Sequence, residues 1–355
     1  MLDPFGRAWI VADAETTGKI PPLTVSLQVS VALCTHNGAA FIVEQVRSIC
    51  LQSLPPVEIV LSDDASSDDV VARALATVAA CEAQRPGLKI PVRVFENRPA
   101  LRVTRNFEQA CLACSGDLVA LSDQDDLWPV DRLETMCAQF ELAADLQLLH
   151  TDATLIGPAG EPLGGTLFHA LEVQPWETRR IHEGNAFSVF LRRNLVTGAT
   201  AVFRRSLLAL AAPFPVEWIH DEWLGIIAAA VGRVDVLEAP LIGYRQHGGN
   251  QIGAERDTFR RKVEKALASR GDTHVKRARK AELLLERLEA IGVPRVSAAT
   301  IEQVRGKLAH QQFRAHLAPG RLSRVLPILC EARTGRYDLY GRGLRGIVRD
   351  LFEGV

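Results

Sequence analysis

The sequence lacks the features of a membrane-spanning or secreted protein. No stretch of its 355 residues reaches the roughly 18 consecutive apolar residues of a membrane span. Residues 1–20 contain Asp3, Asp13 and Glu15 and no apolar core of the kind that a signal peptide has. The seven cysteines are odd in number and lack zinc-type spacing, which favours a reducing compartment. We therefore predict a cytoplasmic protein, either in solution or peripherally bound at the inner face of the membrane.

The composition is that of an ordinary globular protein, with 47% hydrophobic and 23% charged residues. The length allows one large domain with appendages, or two domains. Cys111 and Cys114 form a C-x-x-C pair, but they lie in a segment of helical period that places both on one face. We interpret them as buried small hydrophobic residues rather than as a redox pair.

The net charge of −1 hides a division between the two parts of the chain. Residues 251–355 contain 22 Lys and Arg against 12 Asp and Glu, whereas residues 1–250 contain 19 against 30. A basic tail suggests an anionic contact such as a lipid surface, and the alternative is a solvated helical appendage that pairs with the acidic body. Nucleic acid is not expected, because the basic residues lack interleaved aromatics and a recognised binding motif.

From residue 28 onward the pattern alternates between short apolar strands and helices. The predicted strands are 29–33, 58–61, 92–95 and 118–121, and the predicted helices are 40–51, 69–83 and 104–114. Such alternation predicts an α/β fold with a mostly parallel, Rossmann-like sheet and helices on both faces. Polar clusters follow the first, second and fourth strands, and ligands bind at the carboxyl ends of strands in such folds.

The segment Ser122 to Trp128 places Asp123, Asp125 and Asp126 directly after the fourth apolar run. Three carboxylates at the end of a buried strand are unfavourable unless a positive group lies among them, and hard divalent cations prefer oxygen ligands. The alternative is a solvated acidic turn that caps a helix starting near Pro129.

Four segments together resemble the inverting glycosyltransferases of family 2, which have the GT-A fold. They are VSVALCTHNGAAFIVEQVRSICLQ, EIVLSDDASSDD, GDLVALSDQDDLW and HDEWLGIIAAAVGRVDVLEAPLIGYRQHGGNQIG. The last is similar to the bacterial rhamnosyltransferase branch in particular. The resemblance implies a GT-A catalytic domain at residues 28–253, preceded by an extension at 1–27 and followed by a basic α-helical region at 254–355. The sequence departs from many relatives at Ala100-Leu101-Arg102, where they carry a glycine-containing turn.

The resemblance implies nucleotide-binding roles for residues after the first two strands. Thr35 and Asn37 resemble residues that contact the base, although Asn-Gly is also a common turn pair. Asp63 resembles the carboxylate that accepts a hydrogen bond from N3 of uracil or thymine, while Asp68 is expected to cap the next helix. Arg105 is expected to reach a phosphate, with an ordinary surface arginine as the alternative.

The resemblance also implies a divalent metal, Mg²⁺ or Mn²⁺. Asp125 is expected to bind it directly, and Asp123 to contact the ribose or a metal-bound water. The ion would neutralise the charge that develops on the leaving diphosphate. In the stretch that contains Arg245 and His247, we expect Arg245 to reach the donor and His247 to reach the metal.

The catalytic base should be separate from the metal ligands. An inverting transfer is a single in-line displacement, so a carboxylate must take the proton of the acceptor hydroxyl on the face opposite the diphosphate. Asp221 matches the family's base and begins an apolar helix, whose dipole favours the ionised form. The alternatives are a helix N-cap at Asp221, or Glu222 as the base. Thr197-Gly198-Ala199 is expected to shape the acceptor floor near Asp221.

The closing stretch of the chain has an amphipathic, basic pattern. Leu344, Ile347, Val348 and Leu351 fall on one helical side, with Arg342, Arg345 and Arg349 between them. Such a helix can lie at an anionic interface, which suits a lipid-linked acceptor. The alternative is a helix docked against the catalytic domain.

Taken together, the sequence predicts a metal-dependent inverting glycosyltransferase. By the resemblance it moves L-rhamnose from dTDP-rhamnose to a hydroxyl of a cell-surface polysaccharide or lipid-linked glycan. The alternatives are a UDP-hexose donor, a nucleotidyltransferase, or a non-catalytic sugar-binding module. A nucleotidyltransferase would need a glycine-rich, basic loop after the first strand, and the segment from Cys34 to Gly38 has neither character.

Overall fold

The computed structural model describes residues 27–247 and 271–353, and within these ranges eight strands form one mixed sheet. The strands are β1 (Val29–Thr35), β2 (Glu58–Asp63), β3 (Val92–Glu96), β4 (Leu118–Ser122), β5 (Leu146–Ile156), β6 (Pro162–Thr166), β7 (Val202–Arg204) and β8 (Arg233–Arg245). The helices of the first range are α1 (Ile42–Cys50), α2 (Val70–Gln84), α3 (Val103–Ala113), α4 (Arg132–Leu142), α5 (Leu167–Ala170), α6 (Pro175–His182), α7 (Ala186–Arg192), α8 (Leu208–Ala211) and α9 (His220–Val231). Those of the second range are α10 (Thr273–Ile291), α11 (Ala298–Ala315), α12 (Arg321–Arg333), α13 (Arg336–Tyr340) and α14 (Leu344–Phe352).

The first four strands lie parallel in the order β3-β2-β1-β4, as the alternating pattern predicted. Thr35 pairs with Asp63 and Leu33 pairs with Ser122, so the polar ends of β1, β2 and β4 meet at one edge of the sheet. Each strand runs one or two residues beyond its predicted apolar run, because the polar residues at its end stay in the hydrogen-bonded ladder.

The second half of the sheet continues from β4 through β7 and β5. β7 is antiparallel to both neighbours, β6 is antiparallel to β5, and β8 runs parallel to β5. β8 covers 13 residues and contains Pro240. The pairing of β5 with β8 shifts register between Thr151 and Asp152, where Asp152 faces Pro240. Proline has no N–H to donate, so the strand passes this point through an irregularity.

Both faces of the sheet are covered by helices, as predicted. Val31 and Leu33 of β1 pack in one buried cluster with Ile42 of α1, whereas Ala32 packs in the opposite cluster with Phe107 of α3. Alternate residues of a strand point to opposite faces, so this one strand serves both layers. A strand that is buried on both faces has to be almost wholly apolar, as β1 is.

The long helices of the second range, α10 and α11, pack in the same buried cluster as α9. Leu284 and Leu288 of α10 and Val304 of α11 belong to the same buried cluster as Trp223 and Ile227 of α9. The described part of the C-terminal region therefore shares a core with the α/β part. Helices α10 and α11 are thereby attached to the α/β part, while the division into domains at residues 27/28 and 253/254 stays a prediction.

The closing helix α14 is divided between a packed side and an exposed side. Ile347 and Leu351 pack against a small cluster formed by Leu317, Ile328 and Tyr337, while Leu344 and Val348 are exposed. Neighbouring residues therefore cover one half of the predicted apolar side of this helix, and the other half is exposed. Residues 248–253 of the matched segment and the helical pattern of Phe259, Val263 and Leu267 lie outside the described residues. No helix in the two described ranges is long and apolar enough to cross a membrane.

The cysteines behave as the composition suggested. Cys111 and Cys114 are buried beside each other on α3 and its end, and none of the seven cysteines forms a disulfide. Burial raises the pKa of the Cys114 thiol to about 12. A thiol with a raised pKa is a poor nucleophile, so these side chains act as core residues.

Candidate active site

The loop after β4 carries the acidic cluster at the edge where the strands end. Asp126 is buried, and its carboxylate accepts a hydrogen bond from the backbone N–H of Arg245 at 3.1 Å. Burial and the neighbouring charges of Asp125 and Asp123 raise the pKa of Asp126 well above its usual range. Leu127 exchanges two backbone hydrogen bonds with Gly243 of β8, at 3.0 and 2.8 Å. Asp126 therefore fixes the loop, and the helix-capping alternative fails because α4 begins only at Arg132.

Asp125 and His247 meet in this site, although 122 residues separate them in the chain. Nε2 of His247 lies 2.7 Å from Oδ2 of Asp125, and the imidazole stacks on the ring of Phe41 with 4.6 Å between centroids. Asp123 lies two residues before Asp125 in the same loop. Burial and the charges of Asp125 and Asp221 raise the pKa of Asp123 to about 7. Mutually repelling carboxylates beside an imidazole form a donor set that suits Mg²⁺ or Mn²⁺. The two predicted carboxylate ligands and the predicted histidine thus fit a divalent cation.

Thr35 and Asp63 meet at the ends of β1 and β2. The Thr35 hydroxyl donates to Oδ1 of Asp63 at 2.9 Å, and the backbone N–H of Ser66 donates to Oδ2 at 3.0 Å. The Ser66 hydroxyl also donates to the same carboxylate. The buried Asp63 side chain therefore has partners on both oxygens: Oδ1 accepts two hydrogen bonds and Oδ2 accepts one, so Oδ2 keeps capacity for a bond from a nucleotide base. Base recognition by Asp63 stays a prediction.

Asn37 has the turn geometry that the Asn-Gly pair suggested. Its φ is 49°, in the left-handed region, and its Oδ1 accepts hydrogen bonds from the N–H and hydroxyl of Ser67 at 2.8 and 3.0 Å. The side chain thereby ties the loop after β1 to the loop after β2. Asp68 accepts a hydrogen bond at 3.3 Å from the N–H of Val70, the first residue of α2, but Asp69 occupies the N-cap, so the predicted capping residue is wrong by one position.

The two arginines predicted to reach the donor have other partners in the structure. The Arg245 side chain is buried and donates to the Asp125 carbonyl at 2.6 Å, to the Pro158 carbonyl at 2.7 Å and to the Glu44 carboxylate at 2.6 Å. It shapes the loop that carries Asp125. Arg105 of α3 pairs with Glu108 at 2.5 Å. Within the described ranges it forms no ion pair with a carboxylate of the acidic cluster. Direct contact of either arginine with a donor stays a prediction.

Asp221 lies in the first turn of α9 and faces the acidic cluster closely enough to raise the pKa of Asp123. Its Oδ2 accepts a hydrogen bond from the N–H of Gly198 at 2.8 Å, and its Oδ1 accepts one from the N–H of Glu222 at 2.6 Å. Burial raises the pKa of Asp221 to about 6, although these N–H groups and the charge of Lys280 act in the opposite direction. The alternative of a simple N-cap is wrong in position, because Ile219 occupies the N-cap.

Glu222, the competing candidate for the base, has a different partner. Its carboxylate lies 2.5 Å from Nζ of Lys280 on α10. Lys280 also lies over the ring of Trp218, with its nitrogen 4.8 Å from the ring centroid. Glu222 is therefore engaged in attaching α10 to the start of α9, whereas Asp221 faces the carboxylates.

The sequence analysis missed several residues of this site. Tyr244 is half-buried, and burial and the charges of Asp123, Asp126, Asp125 and Asp221 all raise the pKa of its phenol. Its position one residue before Arg245, in a segment already matched, was the signal that could have found it.

Gln124 and Arg132 are two further residues that hold the acidic loop in place. The Gln124 amide bonds the backbone N–H and carbonyl of His36 at 2.8 and 3.0 Å. The buried Arg132 guanidinium lies 3.9 Å from the Trp128 ring centroid and donates to the Ala199 carbonyl at 2.8 Å. Arg132 thereby connects the acidic loop to the turn that contains Gly198.

A second group of metal-type side chains lies far along the chain, in the C-terminal helices. His274, Asp350 and Glu353 are buried and offer ligand atoms within 4.8 Å of one another. Asp350, however, accepts two hydrogen bonds from Arg314, at 2.7 and 2.5 Å, and one from the Tyr337 hydroxyl at 2.7 Å. A carboxylate neutralised by an arginine is a poor ligand for a cation, so this group acts as an ion-pair network that anchors α14.

Residues 30–210 match the family model described as Glycosyl transferase family 2. The chain belongs to this family. It is 23% identical over 236 residues to an uncharacterised glycosyltransferase of Nostoc sp., covering 63% of this chain and 66% of the relative. It is 28% identical over 130 residues to YwdF, an uncharacterised glycosyltransferase of Bacillus subtilis, covering 37% of this chain and 43% of that protein. The chain thus spans less than two thirds of the length of either relative.

The fold is similar to that of a solved structure. The structure is similar to that of S. aureus TarS 1–349 in complex with UDP-GlcNAc, with a TM-score of 0.55 at 15% sequence identity. The match covers 92% of this chain and 88% of the TarS chain. The described chain therefore has a GT-A fold with additional C-terminal helices, as the resemblance implied.

Proposed function

We propose that this family member is a metal-dependent inverting glycosyltransferase, which moves a sugar from a nucleoside diphosphate to a hydroxyl group of a glycan. The observation that carries the proposal is the placement of Asp125, His247 and Asp123 at one edge of the sheet, with Asp221 facing them from the start of α9. A metal-binding set and a separate carboxylate are the two components that a single in-line displacement needs.

Asp125, His247 and Asp123 would hold the metal. Mg²⁺ or Mn²⁺ bound there supplies positive charge to the diphosphate as it leaves. Gln124, Asp126 and Arg245 contribute by fixing the loop, because their hydrogen bonds hold it to the loop after β1 and to β8. Thr35, Asn37 and Asp63 lie at the adjacent strand ends, where we propose that the nucleotide binds, and Arg105 is proposed to approach a phosphate.

Asp221 would act as the general base. Its carboxylate takes the proton of the acceptor hydroxyl, the hydroxyl oxygen bonds to the anomeric carbon, and the bond from that carbon to the diphosphate oxygen breaks. The N–H groups of Gly198 and Glu222 orient the carboxylate through two hydrogen bonds. A pKa of about 6 leaves Asp221 ionised at neutral pH, yet basic enough to accept a proton.

We propose dTDP-L-rhamnose as the donor and a cell-surface polysaccharide or lipid-linked glycan as the acceptor. The support is the similarity of residues 220–253 to the rhamnosyltransferase branch, in which Asp221, Tyr244 and His247 lie around the site. A UDP-hexose donor is the second candidate, because TarS, whose fold is similar, forms a complex with UDP-GlcNAc. Enzyme action on such an acceptor would take place in the cytoplasm at the inner face of the membrane.

A donor panel tests the proposal. Purified full-length protein would be incubated with dTDP-rhamnose, UDP-glucose, UDP-GlcNAc and GDP-mannose, with Mn²⁺, Mg²⁺ or EDTA, and nucleotide release would be measured. We expect release from one thymine or uracil donor that stops with EDTA. Calorimetric titration of dTDP and UDP should show weak binding unless metal is added. Equal affinity with and without metal would contradict the metal-dependent mechanism.

The matched control separates loss of metal from loss of fold. Asp125→Asn should abolish the metal effect, whereas Asp117→Asn, which changes a carboxylate at the opposite end of β4, should leave it unchanged. If a folded wild-type protein releases nucleotide from none of the donors, the result favours the non-catalytic sugar-binding alternative.

A further inference from the structure

Helices α12 and α14 each expose an apolar stripe at the C-terminal end of the molecule. The six side chains, defined here as the apolar ridge, are Leu322 (90% exposed), Leu326 (71%), Leu329 (52%), Leu344 (73%), Val348 (46%) and Phe352 (52%). Their spacing of three or four residues puts each set on one face of its helix. A soluble monomer rarely exposes so many large apolar side chains on neighbouring helices.

The ridge lies on the sides of α12 and α14 that face away from the protein. Arg324 and Ile328 of α12 are buried, as is Asp350 of α14, and these residues point to the opposite side of each helix. The Arg324 guanidinium donates to the carbonyls of Asp350 and Glu353, both at 3.0 Å, which holds the two helices together. The two stripes therefore belong to one end of the molecule.

The surface around the ridge is positively charged. Arg321, Arg333, Arg342 and Arg345 are exposed, and none of them forms an ion pair within the described ranges. The segment from α12 to Glu353 contains four acidic residues. Three of them, Glu331, Asp350 and Glu353, are buried. Only Asp338 is an exposed acid in this segment. An apolar face with a cationic rim complements an anionic surface.

We propose that the apolar ridge and its arginines form a membrane-binding face, which inserts into the headgroup region of an anionic bilayer. Arginine stems lie along apolar surface while their guanidinium groups reach lipid phosphates, so ridge and rim bind the same layer. A second copy of the chain fits less well, because a self-interface would bring unpaired arginines together. The purpose of this face, access to a lipid-linked acceptor, rests on the proposed function, but the binding itself does not.

Sedimentation with vesicles tests the face on the full-length chain. Vesicles of phosphatidylcholine alone and with about one third phosphatidylglycerol would be compared at low and high salt. We expect binding to the anionic vesicles only, weakened by salt because the arginine contribution is screened. A protein that ignores anionic vesicles at low salt would overturn the proposal.

Two sets of variants distinguish binding by the apolar ridge from nonspecific hydrophobic binding to lipid. Leu322→Gln, Leu326→Gln and Leu344→Gln combined should lower vesicle affinity at least tenfold, because three exposed anchors are lost without disturbing the core. The matched control changes three leucines exposed elsewhere, Leu112→Gln, Leu142→Gln and Leu163→Gln, and should leave binding unchanged. Equal losses in both sets would refute the assignment.

Two further measurements complete the test. Light scattering of the protein without lipid should show a monomer. If the protein instead ignores vesicles and forms a dimer that the ridge variant disrupts, the face is a self-association surface. The rate of nucleotide release without vesicles should be the same in the ridge variant as in the wild-type protein. Vesicle binding by a protein that uses no donor would refute the proposed function and leave the membrane face intact, so the two failures are distinguishable.

Discussion

At the scale of single residues, two adjacent carboxylates in the first turn of α9 have different partners. Asp221 accepts N–H bonds from Gly198 and Glu222 and faces the acidic cluster, whereas Glu222 pairs with Lys280 of α10. We expect Asp221→Asn to keep donor and metal binding while transfer falls by at least about 10²-fold. Steady-state rates with calorimetric donor affinities measure both. Glu222→Gln should be much milder, and the reverse ranking of the two variants would move the base to Glu222.

The raised pKa of Asp221 predicts the acidic limb of the pH profile. Burial raises this pKa to about 6, so the carboxylate becomes protonated, and unable to accept a proton, at pH values where an ordinary aspartate is still ionised. Transfer at saturating metal should therefore fall about tenfold per pH unit below pH 6. Lys280→Met should move this limb to higher pH, because the positive charge of Lys280 lowers the pKa of Asp221. An unchanged limb in that variant would mean that another group titrates.

Asp63 combines an internal role with the proposed recognition of the base. Asp63→Asn should weaken binding of uracil or thymine nucleotides by about 1.5–3 kcal/mol, the typical loss for one charge-assisted hydrogen bond, as calorimetric titration would measure. Ser66→Ala is the control, because it removes the internal bond from the Ser66 hydroxyl to Asp63 at a residue that is not assigned to the nucleotide. Base recognition requires that the first variant lose more affinity than the second. Equal losses would show that Asp63 acts only by holding the loop.

At the scale of elements, the close approach of the 197–199 turn to α9 decides how Asp221 is held. A Cβ added at Gly198 would lie 2.7 Å from Nε2 of His220, a buried ring that stacks on Phe107. Gly198→Ala should therefore shift the start of α9 and lengthen the bond from the Gly198 N–H to Asp221. We expect kcat to fall about tenfold or more while donor affinity is kept. Ala199→Gly, next in the same turn, is the control. Wild-type turnover in Gly198→Ala would show that this contact does not position the base.

Some elements could be predicted from the sequence and others could not, for physical reasons. Strands β1, β2 and β4 are buried on both faces, so each is a nearly continuous apolar run that ends in polar residues. β7 has only three residues, and β5 carries His150, Thr151 and Asp152 in its middle, so neither gives a clear pattern.

The site shows the same limit. Asp125 and His247 were identified because each lies in a matched segment. Lys280 was not, because its contact with Glu222 crosses 58 residues of chain and depends on how α10 packs.

At the scale of the whole molecule, the C-terminal helices are part of the core rather than an attachment. Leu284 and Leu288 of α10 are buried with Trp223 of α9, and the Trp218 indole donates to the Lys280 carbonyl at 3.1 Å. Removal of the chain from residue 335 onward would also remove Tyr337, which is buried, and the carbonyl of Tyr340 that accepts a bond from Lys307. Truncation is therefore a poor test of membrane binding, and surface substitutions are the better choice.

This shared core predicts how the chain unfolds. Leu288→Ala should lower the free energy of unfolding by about 2–5 kcal/mol, because it leaves a cavity between α10 and α9. Val275→Ala, at an exposed position of the same helix, should have little effect. Thermal unfolding followed by far-UV circular dichroism and by donor binding should show one transition, moved to lower temperature together by Leu288→Ala. Helices that melt first, while the donor still binds, would mean that the C-terminal region and the catalytic sheet are separate units. Asp221 would then lose the nearby positive charge of Lys280, so its pKa, and with it the acidic limb, should rise as the helices melt.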